Sequence, residues 1–337
     1  MERDVTPKLT CAEVGFLWSH YMGNSLNLGM LKVFLAKVED KETEMVLRYG
    51  YEAALRIDAE IAAILTAEGF PRPKGFTDED VDTGAPRLFE DTGCLYYVKR
   101  MVKMAMPAAA EGLGNAQRQD ARAFFSLSMR LGEELDSRVT HVLLAKGLFI
   151  RPPYLPVTKE TRLAGEDFAG SIFGTDRPLL SIEVAHIFAN MMNNLFGNHV
   201  AAAFSQVARA EELRRYFYRG MEIANKHIKV FADTLYDSGL KAPATWDAMP
   251  TLSKTPPFSD RLMLTLVTSV TVLGMGYYGL GMAASMRPDL AAMYARLMTE
   301  VGMYLADGSA LLIKNGWLEE PPGAPDRAAL ALAGRQG

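Results

Sequence analysis

The chain has 337 residues, about two domains' worth at roughly 150 residues each. Hydrophobic residues make up 49% and charged residues 23%, the balance of a soluble globular protein, which excludes a disordered, collagen-like or disulfide-scaffold chain. Lys and Arg total 36 against 40 for Asp and Glu, a net charge of −4, so no basic surface for nucleic acid is implied.

The N-terminus, Met-Glu-Arg-Asp-Val-Thr, has no apolar stretch of the kind a secretory signal carries. Cys11 and Cys94 are the only cysteines. Far apart in sequence, they fit two reduced thiols, and the expected compartment is cytoplasmic.

Periodicity predicts four long helices in the first half. Leu9–Val38 has Val14, Leu17, Trp18, Leu28, Leu31 and Leu35 at helical spacing. After the polar turn at residues 39–42, Glu44–Glu68 continues and stops at Gly69, with prolines at 71 and 73. Phe70–Arg87 is rich in Gly, Pro and Asp and has no helical period. Leu88–Leu113 and Ala116–Lys146 follow, closed by Gly147 and Pro152-Pro153.

The second half repeats this plan at 180–209, 211–238, 258–285 and 288–315. At an offset of 170, Glu13, Asn24, Phe34, Gly50 and Gly69 fall on Glu183, Asn194, Phe204, Gly220 and Gly239. A one-residue deletion then moves the offset to 169, and Phe89, Asp91, Arg118, Asp120 and Gly147 fall on Phe258, Asp260, Arg287, Asp289 and Gly316. This is a tandem duplication. The expected domains are 1–155 and 156–337, the latter with a short C-terminal tail.

Connection lengths set the topology. Short turns make helices one and two, and three and four, antiparallel neighbours. The middle segment reaches about 60 Å when extended, against about 40 Å for a 27-residue helix. The expected fold is therefore all-α: two tandem ferritin-like four-helix bundles, each with one long crossover between its second and third helices.

Several segments carry a resemblance. Residues 68–82, Glu-Gly-Phe-Pro-Arg-Pro-Lys-Gly-Phe-Thr-Asp-Glu-Asp-Val-Asp, and 85–91, Ala-Pro-Arg-Leu-Phe-Glu-Asp, are two of them. Residues 146–154, 257–260, 285–290 and 316–322 are the others. Together they resemble a bacterial domain-of-unknown-function family of tandem ferritin-like bundles, found mainly in spore-formers, some members of which carry a provisional spore coat label. The resemblance implies this fold and a sporulation setting, and it brings no catalytic residues.

A ferritin-like bundle raises the question of a di-iron site, which needs Glu-x-x-His on two helices and a Glu on each of the others. Only Glu183-Val-Ala-His186 has that spacing, so no metal and no cofactor are expected. A looser cluster in the second copy, Glu183, His186, Asn190, Asn194 and His227, is the candidate ligand site. Hairpin register places His227 near Asn193, and His186 about seven residues away along the axis, roughly 10 Å. The competing reading is a hydrogen-bonded polar layer that fixes helix register. In the first copy the same register brings His20 near Glu60 and Asn24 near Arg56.

Asp78, Asp80 and Asp82 are spaced like the start of a calcium loop, but position six is Thr83 and position twelve Phe89, so a solvated capping turn is expected. Asp120 and Asp289 place negative charge at helix starts. The 19 methionines read as core filler.

Leu262–Met286 carries no charge and is long enough to span a bilayer. Its counterpart carries Lys99, Arg100 and Lys103, so the expected state is a helix buried on all sides, with its excess apolar face joining the two copies. Asp at Gly276 or Gly279 is then expected to cost several kcal/mol. The expected partners are proteins or a second copy of this chain, as a homodimer, with neither nucleic acid nor membrane. The leading function is a non-catalytic structural or interaction protein, and the alternative is a diverged ligand- or metal-handling protein using the second copy's cluster.

Overall fold

The computed structural model describes residues 7–173, 177–243 and 250–333. Residues 1–6, 174–176, 334–337 and, within the second crossover, 244–249 lie outside them. Eight long helices form: α1 Cys11–Lys37, α2 Lys41–Ala67, α3 Asp91–Asn115, α4 Gln119–Ala145, α5 Ser181–Val207, α6 Glu211–Asp237, α7 Asp260–Ala284 and α8 Pro288–Lys314. A short α9, Arg327–Ala333, lies in the tail, where no helix was expected.

Local chemistry explains the ends. Thr10 and Glu13 form a capping box at α1, and Asp40 and Ser259 cap α2 and α7 with their side chains. The four even-numbered helices all stop at a glycine with positive φ: Gly69, Gly147, Gly239 and Gly316, between 66° and 79°. Each is followed by an apolar residue whose N–H reaches back to the last turn: Phe70 to Leu65, Leu148 to Leu143, Leu240 to Leu235 and Trp317 to Leu312. That backbone conformation strongly favours glycine, which is why the four positions match across the repeat.

In the first bundle α1 lies beside α2 and α3, and α4 closes the ring against α2 and α3; α5–α8 repeat the arrangement. Carboxylates clamp both ends. Asp91, at the start of α3, accepts from Glu39 N (3.2 Å) and Asp40 N (2.8 Å) in the α1–α2 turn. Asp260 does the same for Arg209 N and Ala210 N, both at 2.9 Å. At the other end, buried Glu13 accepts from Gln117 N (2.9 Å) and Arg118 N (2.8 Å) between α3 and α4. The crossover therefore travels the whole bundle length, from the end of α2 back to the α1–α2 turn.

The two crossovers pair with each other. Isolated antiparallel bridges join Val81 to Phe258 and Phe89 to Pro250. Phe258 is the repeat partner of Phe89, and Pro250 that of Val81, so the contact is self-complementary, like an isologous dimer interface. Asp82 N donates to Pro257 O and its counterpart Thr251 N to Leu88 O, each at 2.8 Å. Ser259 adds a bond from its hydroxyl to Asp80 at 2.6 Å. A single apolar core runs through both bundles here, with Phe89 against Phe204 and Tyr97 against Phe196, each pair at 6.2 Å between ring centroids. Each bundle keeps a separate cluster at its far end.

α7 corrects the expectation of all-round burial. Leu262, Met263, Leu264, Leu266, Val267 and Thr268 are buried, and Leu262 packs toward Gly29 of α1. The C-terminal half is different: Val272 is 53% and Leu280 57% exposed, and space around Gly276 and Gly279 is open. The helix is long and apolar enough to cross a bilayer, yet its N-terminal half is buried while its C-terminal half has one buried face, with Tyr278 and Gly281, and one open face. The junction with the first bundle uses mainly the buried half.

α6 and α8 lock through a reciprocal device. Tyr216 and Tyr304 stack at 4.3 Å between centroids and 4° between planes, and each hydroxyl donates to the other's backbone carbonyl at 3.2 Å. One turn on from each ring stands a glycine, Gly220 or Gly308, where a Cβ would collide with the partner hydroxyl. Replacing a mid-helix glycine by alanine normally stabilises by about 1 kcal/mol. Gly308→Ala is expected to reverse that sign and lower the urea midpoint, because Tyr216 and Thr268 are buried and cannot withdraw freely. Gly276→Asp, on the open side of α7, is expected to stay within about 0.5 kcal/mol of the parent.

Candidate functional site

The five candidate residues of the second bundle do not form one site. Glu183 is fully buried at the start of α5 and serves as the bundle-end clamp equivalent to Glu13. It accepts from Leu180 N at 2.8 Å, from Arg177 through two bonds at 2.9 and 2.8 Å, and from Met286 N at 3.2 Å. Burial alone would push this carboxyl up. The Arg177 guanidinium and the backbone donors outweigh burial and hold it below the usual carboxylate range. Glu13 behaves alike: hydrogen bonds from Arg118 N and Thr10 overcome its burial.

His186 lies one turn further along, half-buried, where burial and the charge of Lys103 from the first bundle both lower its pKa. Asn190 is buried and donates to the backbone carbonyl of Tyr277 at 3.2 Å. His186 thus lies within reach of the first bundle's charge, whereas Asn190 is spent inside the second bundle, between α7 and Tyr294 of α8.

Asn194 and His227 do meet, through a residue that sequence reasoning passed over. Asn194 Nδ2 donates to Tyr278 Oη at 2.7 Å and to Asn190 O at 2.8 Å. Tyr278 Oη lies 2.9 Å from His227 Nδ1, and His227 Nε2 lies 3.1 Å from Glu300 Oε2. Lys226 pairs with the same carboxylate at 2.8 Å. Burial would raise the Glu300 carboxyl, but Lys226 and His227 hold it low, so it is ionised and can only accept. Nε2 therefore carries the imidazole proton, and Nδ1 accepts from the tyrosine hydroxyl. The result is a one-way relay, Asn194 to Tyr278 to His227 to Glu300. Burial lowers the His227 pKa, and Glu300 offsets this only in part.

His227 thus faces Tyr278, whereas Asn193, the residue register placed beside it, keeps both side-chain polar atoms buried without a partner. Asn193 lines a cavity of about 80 Å³ with Gly197, Gly220, Gly274, Tyr278 and Tyr304. The first bundle has a cavity of the same size at the equivalent level, lined by Asn27, Gly50, Ser128 and Gly132 among others. Tyr278 and Glu300 were legible only as an aromatic in an apolar helix and one acid among many.

The first copy departs from register too. Asn24 donates to Ala54 O at 2.8 Å rather than lying against Arg56, which is exposed. His20 packs edge-on against Phe124 and Phe125 at 5.9 and 5.4 Å, while Glu60 is exposed. A hairpin register fixes axial level but not which face a side chain takes. In the first crossover Asp78 pairs with Lys32, Asp80 caps Thr77 N, and Asp82 accepts from Gly84 N. The three carboxylates serve different partners. Arg118 and Arg287 grip Asp120 and Asp289 through two bonds each. Among the described residues, no three His, Cys, Asp or Glu side chains gather at a point that would hold a metal. Cys94 is buried, and burial drives its thiol far above the usual range; Cys11 is exposed.

A family profile described as "Protein of unknown function (DUF3231)" matches the chain twice, over residues 4–161 and 167–330. No curated protein matches it. Among solved structures, a Bacillus halodurans C-125 protein described as "a putative spore coat protein" aligns at 18% identity and a TM-score of 0.41, over 45% of this chain and 98% of its own.

The relay generates two expected outcomes. Tyr278→Phe leaves His227 Nδ1 without a donor and the Asn194 amide with Asn190 O as its remaining acceptor, and chemical denaturation should show a loss of about 1–3 kcal/mol. His227 is held neutral when folded and has an ordinary pKa of 6.5 when unfolded, so acid favours the unfolded chain. Stability should fall as pH drops below about 6.5, toward the lowered folded value. His227→Gln should flatten that slope between about pH 7.5 and about pH 5.5, leaving the shares of His20 and His186, whose pKa values burial also lowers.

Proposed function

The chain belongs to the DUF3231 family of proteins of unknown function, and we propose that it acts there as a non-catalytic structural or interaction protein of the spore-forming cell. One observation carries the non-catalytic part. Both ring nitrogens of His227, the best-placed chemical group of the second bundle, are committed within the protein, one to Tyr278 and one to Glu300. A metal or substrate would have to break a satisfied buried relay to reach it, and such relays chiefly fix helix register. The sporulation setting rests on the resemblance of residues 68–82, 146–154 and 316–322 to the family's motifs. The ferritin-like bundle is here a scaffold; its wound topology does not bring the di-iron ligands with it.

Ligand handling remains the second reading, and Asn193 favours it. Its amide is buried with neither polar atom paired, on the wall of a cavity of about 80 Å³. A cavity of that size takes a few waters or a very small molecule.

Metal analysis and absorption spectroscopy of full-length protein, purified without chelators and dialysed, test the main reading. The expected result is substoichiometric iron, manganese and zinc, equal in the parent and His227→Ala. Stoichiometric metal retained by the parent and lost in the variant would overturn it.

A further inference from the structure

The junction between the two bundles holds positive charge with nothing to balance it. Arg100 and Lys103, one turn apart on α3, both stand over the Tyr277 ring of α7, at 5.3 and 5.2 Å from its centroid. Tyr277 is fixed in place: its hydroxyl donates to Lys103 O at 3.0 Å, and Asn190 of α5 donates to its carbonyl. Arg100 is only 7% exposed, and its Nε is buried without a hydrogen-bond partner. No carboxylate among the described residues pairs with either cation. The nearest acid in charge terms, Asp136 of α4, is taken by Lys99 at 2.8 Å.

Such an arrangement is costly as it stands. A buried guanidinium without a counter-charge loses most of its hydration, and stacking on a tyrosine returns only about 0.5–2 kcal/mol. The two cations also repel each other, with Lys99 adding to the field. Burial, then Arg100 and Lys99, bring Lys103 down to about 8, and burial brings Arg100 down to about 10. Elsewhere in the chain buried arginines are answered: Arg118 meets Glu68 and Asp120. Lys103 and His186 stay partly open to solvent, which leaves a route in.

We propose that this junction is a binding site for a small oxyanion, a phosphate or carboxylate group, held by Arg100 and Lys103 with His186 at its rim. Arg100 offers a planar fork of donors and Lys103 a point charge, the pairing that suits tetrahedral or planar oxyanions. Because α3 belongs to the first bundle and Tyr277 and His186 to the second, a bound anion ties the bundles together. The inference goes beyond the scaffold reading and does not depend on it.

Calorimetric titration of the full chain with inorganic phosphate and, separately, with malonate tests the site, at ionic strength matched with sodium chloride. The expected result is one saturable site for at least one anion, weakened at least tenfold in Arg100→Met and in Lys103→Gln. Should Arg100→Met fail to fold, Lys103→Gln decides alone. Malonate keeps its charge from neutral to alkaline pH, so its affinity should fall several-fold above about pH 8 as Lys103 loses its proton, with Lys99, Arg100, Asp136, Tyr277 and His186 as the other groups facing it. Heat or thermal stabilisation matched by sodium chloride, equal binding in both variants, or a pH-independent malonate affinity would each overturn the proposal.

Discussion

An extended segment caught between two helical bundles cannot leave its backbone groups unpaired, and that constraint organises this molecule. Residues 80–89 pass between the halves with Asp80, Ala85, Leu88 and Phe89 buried. Helices cannot serve their N–H and C=O groups, since those of the helices are already used internally. The partner is the other crossover, and the duplication makes the solution reciprocal: Asp82 to Pro257 on one side, Thr251 to Leu88 on the other. Once the crossovers pair, Phe89 and Phe258 are carried into one core with Phe204, and the two bundles cease to be independent.

Within each bundle the same logic acts at the ends. Asp91 and Asp260 hold one pair of turns; Glu13 and Glu183 reach the other. A buried carboxylate satisfied by backbone donors is position-specific, because neither glutamine nor a shift of one residue supplies the same geometry. The copies solve the remaining charge problem differently. Glu13 is surrounded by backbone N–H groups and Thr10, whereas Glu183 takes a side-chain cation, Arg177.

Much of the fold was legible because its signals are local. Helix periods, the glycines that end α2, α4, α6 and α8, and the matched Glu13/Glu183 and Asp91/Asp260 pairs are each set within a few residues. The long crossover followed from length alone. The polar relay was half-legible: Asn194 and His227 stood out as polar groups on helices, but Tyr278 and Glu300 gave no sign, since their meeting depends on helix rotation and not on spacing. α7 misled for a related reason. Composition treats Leu262–Met286 as one apolar run, while the docking angle of the bundles decides that Leu264 is buried and Val272 exposed. Glu183 and His186 looked like one motif at i and i+3, yet one closes the bundle end and the other faces the neighbouring bundle.

Duplication in a single chain also permits what a homodimer cannot do. In a symmetric pair every junction residue occurs twice, at two-fold-related places. Here Arg100 and Lys103 correspond to Ser269 and Val272, and Tyr277 corresponds to Ala108. The related corner of the junction therefore carries neither the two cations nor the ring that supports them. An unbalanced cation pair is a liability if present twice, as like charges in a small interface repel. Present once, its cost is offset by an interface built mostly of apolar side chains and paired crossovers. Fusion freed one corner of the junction to diverge while the opposite corner kept the plain packing that holds the halves together.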